Sequence, residues 1–304
     1  NTLLYRNQPV DSQLKNWTFA GIFYHANGEI GPIPDWECPD FFSISNTTRS
    51  SNQQPNLSVL KVSEDKLFVD RWRLGHVDIL ESFPLQYRFV EHSTGLVDFG
   101  NFYASKSLLD AEEQRIVFGW VREADSVQAQ AARGWAGVQS LPRRIGFDEA
   151  AKALTFHPIK ALASLRKTPF YPTLNNIPLS NENSPFHVSA IQSNQFEVIA
   201  RFDHIHAHQS FGIDVLASPD REEYTRIALN IDAHNQATLH LIRTHSSLLA
   251  NATDANTSTQ SAPFYPRQSD DPIELHIFVD HSMIECFTDN GKIVITSRVY
   301  PSKP

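Results

Sequence analysis

Short apolar runs broken by turn-forming residues recur along nearly the whole chain, and few folds accept such a pattern. Residues 19–24, 41–45, 57–62, 70–74, 100–105 and 116–121 each read as a strand, and polar residues alternate around Trp72 and Leu74. Asn27-Gly28 and Asp289-Asn290-Gly291 carry the chemistry of tight turns. Gly31-Pro32-Ile33-Pro34 forces an extended approach to Trp36. Helical periodicity first appears over residues 126–133. The pattern predicts an all-β chain, built as a sandwich, barrel or propeller. No self-similar repeat singles out a propeller.

The pattern breaks over residues 148–166, where Pro158 is followed by a short amphipathic helix candidate at 159–166. Strands then resume at 196–202, 211–216, 225–231, 237–242, 274–279, 283–287 and 292–298. They predict a second all-β unit, most simply a two-sheet sandwich. Residues 246–269 are rich in Ser, Thr, Asn and Ala and read as a mobile loop. The division is 1–158 for the first unit, 159–169 for a linker and 170–304 for the sandwich.

A length of 304 residues suits two domains, and 41% hydrophobic content supplies real cores. A net charge of −8 argues against a nucleic-acid partner. No apolar run is long enough to span a bilayer. Cys38 and Cys286 are the only cysteines, so two free thiols are expected rather than a disulfide framework. Asn16, Asn46, Asn56, Asn251 and Asn256 each open an Asn-x-Ser/Thr tripeptide. Together they point to a secreted or vacuolar glycoprotein, against the plainer reading of polar loop composition. There is no initiating methionine and no signal peptide, so Asn1 reads as a cut or processed end.

Trp36-Glu37-Cys38-Pro39-Asp40 concentrates the chemistry. Burial against Trp36 and Cys38 would disfavour the charged form of Glu37 and suit it to general acid work. Asp40 is a second carboxylate that could hydrogen-bond within the same site. A glutamate facing water from an edge strand is the competing reading, and residue chemistry alone leaves both open. His204, His206 and His208 alternate as if on one strand face, a zinc-like spacing or a solvated polar face; no metal is expected. Asp280-His281-Ser282 and Glu285 are contiguous and cannot converge as a nucleophilic triad, so they read as structural.

Several segments, in order and nearly end to end, resemble glycoside hydrolase family 32, the invertases, inulinases and fructan exohydrolases. They are Trp36–Asp40, Val59-Leu60-Lys61-Val62-Ser63, Gly100-Asn101-Phe102-Tyr103-Ala104-Ser105-Lys106, Gly119-Trp120 and Gly134-Trp135-Ala136-Gly137-Val138-Gln139-Ser140-Leu141-Pro142-Arg143. Ile277-Phe278-Val279-Asp280-His281-Ser282-Met283-Ile284-Glu285 and Thr296-Ser297-Arg298-Val299-Tyr300-Pro301 complete the set. The resemblance implies a five-bladed β-propeller followed by a β-sandwich, and a retaining mechanism on β-fructofuranosides without cofactor. It makes Glu37 the acid/base, and Trp36, Cys38, Asp40, Asp65, Tyr103 and Trp135 substrate-binding or supporting residues.

Two departures qualify it. The family's Asn-Asp-Pro nucleophile and Arg-Asp-Pro stabiliser motifs are absent; the only Asp-Pro is Asp271-Pro272. The N-terminal blades are therefore expected to be missing, with a companion N-terminal segment supplying the nucleophile. Second, the family's Asp-x-x-Lys reads Asp65-Lys66-Leu67-Phe68 here, and Lys66 would point to the opposite strand face. The expected partner is a fructoside, sucrose or a fructan, and no membrane. Fructosyl transfer on the same scaffold and a non-catalytic carbohydrate-binding remnant are the alternatives. The sandwich has three roles open to it: stabilising the propeller, pairing two copies, or narrowing the cleft.

Overall fold

The structure, a computed structural model, describes residues 2–7, 13–25, 35–44, 57–80, 86–166, 173–179, 186–188, 193–249, 258–264 and 271–303. The turn expected at Asn27-Gly28, the 31–34 approach and the sequons at Asn46, Asn56, Asn251 and Asn256 lie outside the described residues. Asn16 is described and exposed. The chain is overwhelmingly β, and among the described residues no helix is long and apolar enough to cross a membrane. It divides into two compact units: Asn1–Val97 with Ala104–Lys106 and Gly146–Leu154, and Asp98–Tyr103 with Ser107–Ile145 and Thr155–Pro304.

In the first unit, β1 (Thr2–Asn7) and β2 (Trp17–Tyr24) form an antiparallel hairpin. Four further strands, β3 (Trp36–Ser43), β4 (Ser58–Glu64), β5 (Val69–Leu80) and β6 (Gln86–Leu96), make an antiparallel sheet in the order β3-β4-β5-β6. One face of the sheet packs Leu60, Val62 and Phe89 against Phe23 of β2, with Trp36, Tyr24 and Val77 alongside. The other face carries Trp72, which is 2% exposed and donates its indole N–H to Leu96 O at 3.1 Å. Its ring lies where a Cβ on Gly95 would be, 2.5 Å from the nearest ring carbon, so only glycine fits there. The motif expected to precede a strand at 41–45 is itself strand, because β3 starts at Trp36.

The second unit holds two four-stranded antiparallel sheets. One has β12 (Gln195–Phe202), β17 (Ile273–Asp280), β18 (Met283–Thr288) and β19 (Ile293–Arg298) in that order. The other has β13 (Ser210–Val215), β14 (Thr225–Ile231), β15 (Ala237–Ile242) and β16 (Gln260–Pro263). Period-two alternation puts Ile273, Leu275, Ile277 and Val279 inside, against Ile227, Leu229, Leu239 and Leu241 of the facing sheet. This is the expected two-sheet sandwich. Asp289–Gly291 makes the tight connection from β18 to β19.

A further sheet runs in the order β11-β10-β8-β7, with β9 paired to β8. Its strands are β7 (Phe102–Leu109), β8 (Arg115–Val121), β9 (Val138–Gln139), β10 (Arg143–Asp148) and β11 (Ala153–Pro158). Helix α1 (Val127–Arg133) falls where its periodicity predicts. The Ser126 side chain accepts from Ala129 N, and Gly134 at φ 82° ends the helix.

Both faces of β18 and β19 are buried, because a charged cluster covers the face turned from the sandwich core. The Arg143 guanidinium pairs with Asp98 at 2.9 Å and with Glu285 at 2.6 Å, all three side chains fully buried. It also lies over the Phe102 ring at 4.3 Å. Burial disfavours the Arg143 charge, but the carboxylates of Glu285 and Asp98 outweigh that and hold it protonated. Glu285 is thus structural, as its contiguity with Asp280, His281 and Ser282 suggested.

Three expectations give way. Residues 159–166 do hold a short helix, Lys160–Leu165, but it is 3₁₀ and buries no side chain, so the expected amphipathic face is missing. Part of the supposed 246–269 loop is strand β16, an edge strand with only Ala262 buried. His204, His206 and His208 do not share a strand face: β12 ends at Phe202, and His204 and His208 sit at φ 57° and 62° in the turn before β13. No group of three or more His, Cys, Asp or Glu residues is placed to hold a metal among the described residues.

Candidate active site

Alternation along β3 sets Trp36 and Glu37 on opposite faces of the first unit's sheet. Trp36 lies on the packed face, stacked on Tyr24 at 5.9 Å with the Arg73 guanidinium 4.6 Å from its ring centre. Arg73 in turn pairs with Glu64 at 3.3 Å and Glu91 at 3.5 Å. Tyr24 donates to Glu91, and burial together with that hydrogen bond pushes its phenol up to about 12. Glu37 is exposed on the other face. Burial by Trp36, expected from the sequence, therefore does not occur within the described residues, since neighbouring strand residues cannot share a face.

The local backbone does something the sequence did not disclose. Glu37 pairs with Ser63 and Asp40 with Lys61, so two β3 residues, Cys38 and Pro39, oppose the single β4 residue Val62. This is a β-bulge. Without it, residues three apart would face opposite ways. With it, Glu37 and Asp40 face the same way, because their partners Ser63 and Lys61 are two apart on β4. Cys38 occupies φ 45°, a left-handed conformation that costs a non-glycine residue about 1–3 kcal/mol. Pro39 brings no N–H, so the irregular pairing wastes no donor there.

Two lysines grip the bulge. Lys61 Nζ donates to Cys38 O at 3.0 Å, and Lys106 Nζ donates to Pro39 O at 2.6 Å. Lys106 also stands 4.0 Å from the Asp40 carboxylate. Lys61 donates in addition to Ser105 O and lies 3.6 Å from Asp70, whose carboxylate is fully buried. Burial lowers the Lys61 pKa, and the carboxylates of Asp70 and Asp40 offset only part of that. Asp70 accepts from Ala104 N at 3.1 Å and Ser105 N at 2.8 Å, tying β5 to β7.

Asp65 opens the turn between β4 and β5, and its carboxylate accepts from Asp35 N at 2.8 Å, fixing the entry to β3. Residues 65–68 are turn rather than strand, so the opposite-face argument against Lys66 does not apply; Phe68 sits at φ 52°, 43% exposed. Four sequence-derived candidates, Trp36, Glu37, Cys38 and Asp40, thus lie on the edge strand β3, and Asp65 holds the entry to it. Tyr103 and Trp135 belong to the second unit. There Tyr103 is buried, while Trp135 is exposed and flanked by the guanidinium groups of Arg133 at 4.6 Å and Arg298 at 5.5 Å. Sequence reasoning assigned no role to Lys61, Lys106 or Asp70. The available signal was a lysine set among Val59, Leu60 and Val62 in a strand buried throughout.

Residues 1–158 match the glycosyl hydrolases family 32 N-terminal domain, and residues 161–304 match the family 32 C-terminal domain. An insoluble-isoenzyme beta-fructofuranosidase of Arabidopsis thaliana is 31% identical over 95% of this chain and 56% of its own length. A cell wall beta-fructofuranosidase of Zea mays is 28% identical over 99% of this chain and 56% of its own length. Fructan 1-exohydrolase IIa of Cichorium intybus superposes with a TM-score of 0.81 at 24% identity, covering 99% of this chain and 61% of that one. A point-substituted variant of that exohydrolase in complex with 1-kestose gives 0.79. The chain spans little more than half the length of these relatives. With both halves matched in order, the chain belongs to glycosyl hydrolases family 32.

Proposed function

We propose that this chain is part of a retaining β-fructofuranosidase in which Glu37 protonates the glycosidic oxygen and then activates water against a fructosyl-enzyme. The carrying observation is the bulge at Cys38-Pro39, which turns an exposed Glu37 and a half-buried Asp40 to one face of the sheet. Retention needs a second carboxylate about 5 Å from the first. We assign that nucleophile to a companion segment outside this sequence, in keeping with the length of the relatives. Residues 1–158 then form part of a five-bladed propeller, with β3-β4-β5-β6 as one blade, followed by a linker at 159–169 and the sandwich at 170–304. The junction of the two family matches at 158–161 supports that division.

The substrate class follows the relatives, named for β-fructofuranoside and fructan cleavage and seen with 1-kestose. Phe68 in place of a lysine favours fructan over a strict preference for sucrose. Trp36, Cys38 and Asp65 support Glu37, while Tyr103 and Trp135 are assigned to substrate or its surroundings. The cell wall relatives and the Asn16 sequon support a secreted protein, with a vacuolar one as the alternative. Incubation of the full-length protein with sucrose and with 1-kestose tests the reading. Release of free fructose is expected; longer fructans at high sucrose would instead assign fructosyl transfer, and no reaction with either would leave the binding remnant.

A further inference from the structure

We propose that Lys61 is a positioning residue for Glu37, acting through the β3 bulge with Lys106 as its outer partner; the inference rests on the acid/base reading of Glu37. An ammonium has three donor directions and no acceptor. At Lys61 two of them meet Cys38 O at 3.0 Å and Ser105 O, and the Asp70 carboxylate stands beside the charge as an ion pair at 3.6 Å. The residue is only 4% exposed, so its charge is held by these groups rather than by bulk solvent. Lys106 takes the next carbonyl along, Pro39 O at 2.6 Å, from a side chain that is more than half exposed. Two consecutive carbonyls of a strained segment are thus held by two cations carried on β4 and β7. Asp70, on β5 beside β4, ties β7 to the same sheet through Ala104 N and Ser105 N.

The consequence lies in register. Cys38 stays at φ 45° only while its carbonyl is held. Released, the strand can absorb the extra residue, and a one-residue slip sends Asp40 to the opposite face from Glu37. A shift of about 1 Å in a catalytic group costs roughly a hundredfold in rate. Binding contacts made by other elements are untouched, so the loss belongs in kcat.

The test compares Lys61→Met, Lys106→Met and Glu37→Gln in the full-length protein, with 1-kestose as substrate. Lys61→Met is expected to lower kcat about a hundredfold with KM within about threefold of the parent. Lys106→Met is expected to lower kcat about five- to tenfold. A crystal structure of Lys61→Met should show Cys38 out of the left-handed region. Folded Lys61→Met with parental kcat overturns the proposal, as does an equal rise in KM with kcat unchanged. Should Lys61→Met fail to fold, Lys106→Met decides: its exposed side chain leaves the core intact, and parental kcat there is equally fatal. Glu37→Gln separates the two levels. If it turns over normally, the acid/base reading fails; if it is inactive while both lysine variants are normal, only the positioning role fails.

Discussion

Replacing Arg143 by methionine removes the cation from a fully buried pair of carboxylates, and the loss can be scaled from the contacts that survive. Asp98 keeps Gly100 N at 2.7 Å, Thr296 N at 3.0 Å and the Thr296 hydroxyl at 2.6 Å. Glu285 keeps Leu141 N at 2.6 Å and a marginal 3.5 Å contact from the Thr296 hydroxyl. Glu285 is thus the group left nearly bare. Removing one partner of a buried ion pair typically costs about 3–5 kcal/mol. At about 2–4 °C per kcal/mol for a unit of this size, the midpoint should fall by about 6–20 °C. Urea titration and calorimetry measure both quantities. Arg143→Met combined with Glu285→Gln should regain more than half of the loss, because no uncompensated buried charge then remains at that position. A single-variant loss below about 1 kcal/mol, or a double variant no more stable than the single, would refute the reasoning.

Two further outcomes follow from burial. Tyr24 should titrate near pH 12 by ultraviolet absorbance, since burial and its bond to Glu91 raise it from 10.0. The folded value lies above the unfolded one, so the stability from the neutral phenol is intact below pH 10 and is lost as pH rises toward 12. Tyr24→Phe should remove that component, and an unchanged alkaline profile would contradict it. Burial raises the Cys286 thiol far above its usual range, so a thiol reagent should leave it unmodified in the native protein and label it only in denaturant.

Much of the fold was legible because strand periodicity is local. Seven of the eight sandwich strands, α1 and the β18–β19 turn follow from short windows of sequence. Strand β6 escaped notice although Tyr87 and Phe89 alternate in it, because polar residues such as His92 and Ser93 interrupt the pattern. Strand β16 hid in a polar stretch because its place is set by pairing with β15 rather than by its own composition. The Arg143–Glu285 pair joins residues 142 apart, a relation no window contains. At the candidate site, residue types pointed to Glu37, but register decided its surroundings. Adjacency to Trp36 suggested burial where alternation gives exposure. The bulge that unites Glu37 with Asp40 depends on a positive φ at Cys38, ahead of a proline, a conformation that residue type does not announce.

The central claim is that Glu37 supplies the proton to the leaving group, and leaving-group dependence in Glu37→Gln tests it most directly. The phenolate of an activated aryl β-fructofuranoside, such as the nitrophenyl glycoside, departs without protonation, whereas the glucose of sucrose requires it. In the full-length variant, sucrose turnover should fall by about 10²–10⁴-fold. The aryl substrate should still give a rapid burst of phenolate, followed by slow release of the fructosyl-enzyme. Sucrose turnover at the parental rate, or equal loss on both substrates with no burst, would contradict the assignment.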